Sequence, residues 1–299
     1  MLTKNKILHF DTIDGIGNYD EPFSNRPNGS GQNVTGSHTF NSRIKVASLI
    51  ENVKSISLKT IEFPFTAFNV RSSNSSNIIN YFVIYNGNNV DGQVVLRDKN
   101  YTSISTLLAD INAGFVASIA SFTQLNGLII QFYLNPLDNS KITIKSNPSQ
   151  AVGGLIFGNL WFKPTLLMTM IIGQSRQPPA NIDMVLGITG DPYSYMNCTN
   201  NYNLQPDNYF NMNITNIQTA PSNANGRPTT FKIPLTGTFG EVIYWTENSG
   251  AEQIVTIDRP NTTLDYVNLF ITDRWGFPVY SNGAHISFTL NVAYEDYMN

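Results

Sequence analysis

One cysteine, Cys198, stands in 299 residues. A lone thiol rules out an intrachain disulfide framework and any zinc site built on paired cysteines. Charge is scarce as well. Asp, Glu, Lys and Arg make up 13% of the chain, against the ~25% usual for globular proteins. The 18 Lys and Arg residues fall singly and the net charge is −3, so the basic stripe of a nucleic-acid binder is missing and no such partner is expected. The three histidines, His9, His38 and His285, lie far apart without metal-ligand spacing, and no metal is expected. The longest dense apolar run, Leu166 to Ile172, falls far short of the ~20 residues of a membrane span. The segment Met1 to Phe10 lacks the apolar centre of a secretion signal, so synthesis in a reducing, cytosol-like compartment is the expectation. Gly15-Ile16-Gly17 and Gly153-Gly154 lack the strand, helix and Lys-Ser/Thr of a phosphate loop, and no cofactor is expected.

Asparagine fills the space left by charge, at about one residue in eight. It solvates loops and tolerates left-handed turns without adding net charge. Hydrophobic residues reach 41% and aromatics 12%, enough for a sizeable core. The clearest local pattern runs from Leu264 to Val292. His285, Ser287, Thr289 and Asn291 alternate with Ile286, Phe288, Leu290 and Val292, the period of two of a half-buried strand. Val267, Leu269 and Ile271 mark a strand before it. Asp273 to Pro278 supplies Gly and Pro for a turn, so the stretch is expected to form a closing β-hairpin.

Residues 11–42 are rich in Gly, Asn, Ser and Pro. Residues 1–42 are expected to form an extended arm that orders on assembly, so that removing 1–40 leaves the core folded. In Val53 to Pro64, Ile56 and Leu58 share one face while Ile61 and Phe63 share the other, and the slip near Thr60 predicts a bulge or a strand that changes neighbours. Strands are expected at Ile78 to Tyr85, Gln93 to Arg97, Leu128 to Leu134 and around Ile142 and Ile144. Later ones are expected at Ile182 to Ile188, Tyr209 to Ile217, Phe231 to Leu235, Val242 to Trp245 and Ile254 to Ile257. One helix is expected from Ser103 to about Val116, with Ile104, Leu107, Leu108, Ile111 and Phe115 as its apolar stripe. Ten to twelve strands with one helix and no βα alternation predict an all-β fold: a single jelly-roll β-sandwich over 43–299 carrying a β-rich insertion.

Several chemical readings fail on their surroundings. Cys198, in Tyr195-Met196-Asn197-Cys198-Thr199-Asn200, has no neighbouring base to activate it. Glu241, Glu247 and Glu252 around Trp245 suggest paired glycosidase carboxylates, yet Glu247 to Gly250 reads as a turn. Asp258 to Asn261 offers oxygen ligands without EF-hand spacing. Triplets such as Asn33-Val34-Thr35 are expected by chance in so Asn-rich a chain. No catalytic residue is assigned and the chain is not expected to be an enzyme.

Three ordered features carry a family resemblance. The first is Val53-Lys54-Ser55-Ile56-Ser57-Leu58-Lys59-Thr60-Ile61-Glu62-Phe63-Pro64 followed by Phe68-Asn69-Val70. The second is Asn100-Tyr101-Thr102 opening a short helix with Leu107 and Ile111. The third is Val267-Asn268-Leu269-Phe270-Ile271-Thr272-Asp273 with Gly276 before a final alternating strand. Over roughly residues 45–295 the sequence resembles the single jelly-roll minor capsid and penton proteins of virophages, polinton-like viruses and large DNA viruses, in particular the pentons of mavirus-type virophages. The resemblance implies a structural capsid protein of the virion, a homopentamer at the icosahedral vertex surrounded by major capsid protein trimers. The alternative is a β-sandwich binding module for a host-surface carbohydrate or receptor, using Tyr244, Trp245 and the Asn-rich loop 191–207.

Overall fold

The computed structural model describes residues 2–14, 16–17, 40–147, 160–163, 165–172, 194–198, 200–205, 207–217, 229–247, 253–257 and 262–296. The chain divides into two units. One combines Met1–Ala67 with Asp207–Asn299, and the other is Phe68–Pro206, inserted between them. Before the insertion come β1 (Leu2–Asp11), β2 (Ile16–Gly17), β3 (Asn41–Ile50) and β4 (Val53–Pro64). The insertion holds β5 (Ile78–Tyr85), β6 (Asn88–Val95), α1 (Ile104–Ala120), β7 (Ile130–Asn135), β8 (Asp138–Ser146), β9 (Leu160–Phe162), α2 (Leu166–Ile172) and β10 (Ser194–Asn197). After it follow β11 (Tyr209–Ile214), β12 (Phe231–Pro234), β13 (Val242–Thr246), β14 (Gln253–Thr256), β15 (Leu264–Thr272) and β16 (Ser287–Asp296).

The outer unit is an all-β sandwich of two antiparallel sheets. One runs β1-β16-β4-β13, with β14 pairing the same flank of β4 as β13; the other runs β12-β11-β15-β3-β2. With β13 and β14 taken as one split strand and the two-residue β2 set aside, eight principal strands remain. Numbered by chain position, the sheets read 1-8-3-6 and 5-4-7-2, which is the strand order of a jelly roll. The insertion leaves between the third and fourth of these strands. Apolar residues from both sheets fill one core, with Phe63 of β4 in edge-to-face contact with Phe210 of β11 at 5.6 Å.

Two expectations change here. The segment 1–42 is not all arm: Leu2–Asp11 is the first jelly-roll strand, paired over its whole length with β16. Alternation explains this, because Leu8 and Phe10 pack on the core while Ile7 and His9 are exposed. Residues 18–39 lie outside the described residues. The hairpin expected at Leu264 to Val292 is also not one. Both strands exist, but β15 pairs β3 and β11 in one sheet, whereas β16 pairs β1 and β4 in the other. The intervening segment crosses the sandwich. It is pinned by buried Asp273, whose Oδ1 accepts the Trp275 and Phe277 amides at 2.9 Å.

The bulge expected near Thr60 is present, since the β16–β4 register shifts between Leu58 and Thr60. Its effect is to bring Ile56, Leu58, Ile61 and Phe63 all into the core. An extra residue restores the inward phase instead of splitting the strand between two faces.

The inserted unit closes its own core. Asn86 and Gly87 both take positive φ between β5 and β6, the two-residue turn that Asn-Gly favours in hairpins. β6 therefore begins at Asn88, five residues before the expected strand. Leu107, Leu108, Ile111 and Phe115 form the buried stripe of α1, and Phe115 stacks on Phe132 at 5.3 Å. The apolar run at Leu166 is a second helix, α2. Asn69 holds the unit's ends together: its Nδ2 donates to the Tyr101 and Leu204 carbonyls at 2.8 and 2.7 Å, and its Oδ1 accepts the Tyr101 amide at 2.9 Å.

Candidate functional site

Several residues with chemical promise in the sequence make structural contacts. His9 lies on the outer face of β1, with Nδ1 2.9 Å from Thr289 Oγ1, which in turn accepts the Thr60 hydroxyl at 2.9 Å. The three residues form one polar rung across β1, β16 and β4. His38 lies outside the described residues. Among the described residues no three His, Cys, Asp or Glu side chains converge on a metal-sized site.

Cys198 is buried in the core of the inserted unit, and burial pushes its thiol up to about 12. No thiolate nucleophile exists there at neutral pH. Because the fold holds this proton where an unfolded thiol near 9 releases it, Cys198 favours the fold fully below about pH 9. That contribution is withdrawn as pH rises toward 12. Alkylation by iodoacetamide at pH 8, followed by mass spectrometry, should be about tenfold or more slower in the native chain than in denaturant. Equal rates would place the thiol at the surface.

Glu241 serves its own turn, its Oε2 accepting the Thr238 amide at 2.7 Å. Glu247 is ion-paired with Lys59. Glu252, Asp258 to Asn261 and Gly153-Gly154 lie outside the described residues. Ile16-Gly17 pairs with β3 as a short strand. Trp245 faces the core at 8% exposure while Tyr244, its neighbour, is 62% exposed, as alternation on β13 requires. Trp245 is therefore no stacking platform for a sugar. The described part of the Asn-rich stretch 191–207 falls in the inserted unit up to Gln205, away in sequence from the β13 it was expected to act with.

What the structure does assemble is a patterned surface. On the outer face of the β1-β16-β4-β13 sheet, the middle strands carry Ser287, Thr289, Asn291, Ser55, Ser57, Thr60 and Glu62. Exposed apolar side chains stand on both flanks: Ile7 on β1, at 62% exposure between Asn5 and His9, and Val242, Tyr244 and Ile254 on β13 and β14. Three cations of this sheet pair with carboxylates, Lys4 with Asp296, Lys54 with Glu295 at 3.0 Å and Lys59 with Glu247. Exposed pairs of this kind add little stability. Sequence reading missed the surface because it depends on β1 lying at one flank and on β13 and β14 sharing the other.

No family model matches the chain, and no curated protein matches it. Among solved structures, the chain is similar to the crystal structure of the selenomethionine-labelled mavirus penton protein. The TM-score is 0.41 and the identity 12%, over 97% of this chain and 99% of that one.

Proposed function

We propose that this chain is a structural capsid protein of a virion, a vertex protein that assembles as a homopentamer and meets major capsid protein trimers around it. The observation that carries the reading is the placement of exposed apolar side chains on opposite flanks of one sheet. A contact between Val242, Tyr244 and Ile254 of one copy and the β1 flank of the next uses two different surfaces. Such a heterologous contact closes into a ring when the rotation per copy allows. The jelly-roll strand order and the sequence resemblance to single jelly-roll capsid proteins support the same role. The role proposed is structural and non-catalytic.

Oligomeric state tests it. Native mass spectrometry and sedimentation should find a ring of five for the natural chain. Val242→Asp combined with Tyr244→Asp should weaken association at least tenfold with an unchanged melting temperature, because both side chains face outward. A chain that stays monomeric at high concentration, alone and with major capsid protein, would overturn the proposal.

A further inference from the structure

The inserted unit carries a second surface feature with different chemistry. A cleft of about 490 Å³ opens over the free edge of β6, where the end of α1 meets the β5–β6 hairpin. Its size falls in the range of small-molecule sites. Its walls are polar groups already held in place. The Gln93 amide donates to Asn80 Oδ1 at 2.8 Å across the hairpin. Lys163 and Asp91 pair at 2.9 Å. The Ser118 hydroxyl donates to the Gln93 carbonyl at 2.9 Å and lies 2.9 Å from the Tyr81 hydroxyl. Phe122 contributes an aromatic wall.

Gly92 makes this notch possible. A Cβ there would lie 2.1 Å from Cζ of Tyr81, directly opposite on β5. Without a side chain, the Tyr81 ring can cross under β6 and reach Ser118. The helix end is thereby fastened to the strand edge.

The ligand class follows from what the lining can satisfy. The only described cation is paired with the only described carboxylate, so an anion meets a repelling Asp91 and a cation a repelling Lys163. One carboxylate is too few to hold a divalent metal. The amides and hydroxyls offer donors and acceptors in mixture, and their mutual bonds reduce the ordering cost of a ligand. Hydroxyl groups both donate and accept, so a polyhydroxylated neutral molecule matches this mixture, and Phe122 suits the apolar face of a sugar ring. We propose that the cleft bounded by the Asn80–Gln93 amide pair, the Asp91–Lys163 pair, Ser118 and Phe122 is a binding site for a neutral saccharide.

This site does not depend on the capsid reading, and its test is separate from oligomeric state. The full-length chain would be applied to a panel of immobilised neutral and acidic oligosaccharides. The strongest neutral hit would then be titrated by calorimetry. Selective binding to neutral members is expected, with affinity reduced tenfold or more in both Asp91→Ala and Asn80→Ala. Both variants should melt as the natural chain does, since neither side chain is buried. Glu51→Ala, an exposed side chain of the other unit, should bind normally. Absence of any hit would overturn the proposal. So would hits confined to acidic members, or hits indifferent to both cleft substitutions.

Discussion

A chain lacking Met1–Asp11 is expected to lose several kcal/mol of stability in its jelly-roll unit, not to keep an intact core. β1 pairs β16 from Leu2 opposite Asp296 to Asp11 opposite Ser287. At its end Phe10 is buried and stacks on Phe288 with ring centroids 5.1 Å apart. Burying one such side chain is worth about 1.5–3 kcal/mol, and the aromatic pair adds about 0.5–1.5 kcal/mol. The next residue, Thr12, is also buried. Its amide donates to the Ile286 carbonyl at 2.9 Å, and its hydroxyl accepts the Ile286 amide at 2.8 Å. Deletion would strip this strand from β16 and leave the inner face beside Phe288 open to water. Against a total of about 5–15 kcal/mol for a domain, that is a large fraction. Urea unfolding of the truncated and natural chains measures it. An unchanged midpoint would show that β1 docks without stabilising the sandwich.

The same strand shows where sequence reading stops. The alternation from His285 to Val292 was legible because a half-buried strand writes its two faces into a period of two. The stripe of α1 was legible because five apolar residues recur at helical spacing. Leu2–Asp11 was not, since its inward side includes Lys4 and Lys6 beside Leu8 and Phe10. A flanking strand needs few apolar positions, and a run of Gly and Asn follows directly. Sheet membership was invisible for a different reason. Strand patterns say that β15 and β16 each have an inner face, but both sheets of a sandwich satisfy that equally. Only the partners separate a hairpin from a crossing, and those partners, β3, β11, β1 and β4, are distant in sequence. The bulge in β4 was detectable as a phase slip, although its consequence, four residues on one face, required the register with β16. The candidate surfaces were the least legible. The apolar flanks arise from strand order, and the cleft depends on Gly92 yielding space to Tyr81. A lone glycine in a polar segment announces neither.

Phe288→Asp is expected to abolish cooperative unfolding of the jelly-roll unit while leaving the inserted unit protected. Phe288 is 1% exposed, stacks on Phe10 and lies opposite Ile61 of β4. Replacing it removes a buried ring, worth about 3–5 kcal/mol. It also places a carboxylate among apolar side chains, at a further cost of several kcal/mol. Together these rival the whole stability of a domain. The inserted unit draws its core from other residues, among them Phe115, Phe132 and Ile144, and its ends are joined through Asn69 to Leu204. Hydrogen exchange read by mass spectrometry distinguishes the two. Peptides of β4, β15 and β16 should exchange rapidly in the variant, while peptides of β5, α1 and β8 should keep their protection. Asn291→Asp, on the outer face of the same strand, should change stability by no more than about 0.5 kcal/mol. Loss of protection throughout Phe68–Pro206 would mean that the insertion borrows its stability from the sandwich. Retained protection in β16 would mean that the face assigned to Phe288 is wrong.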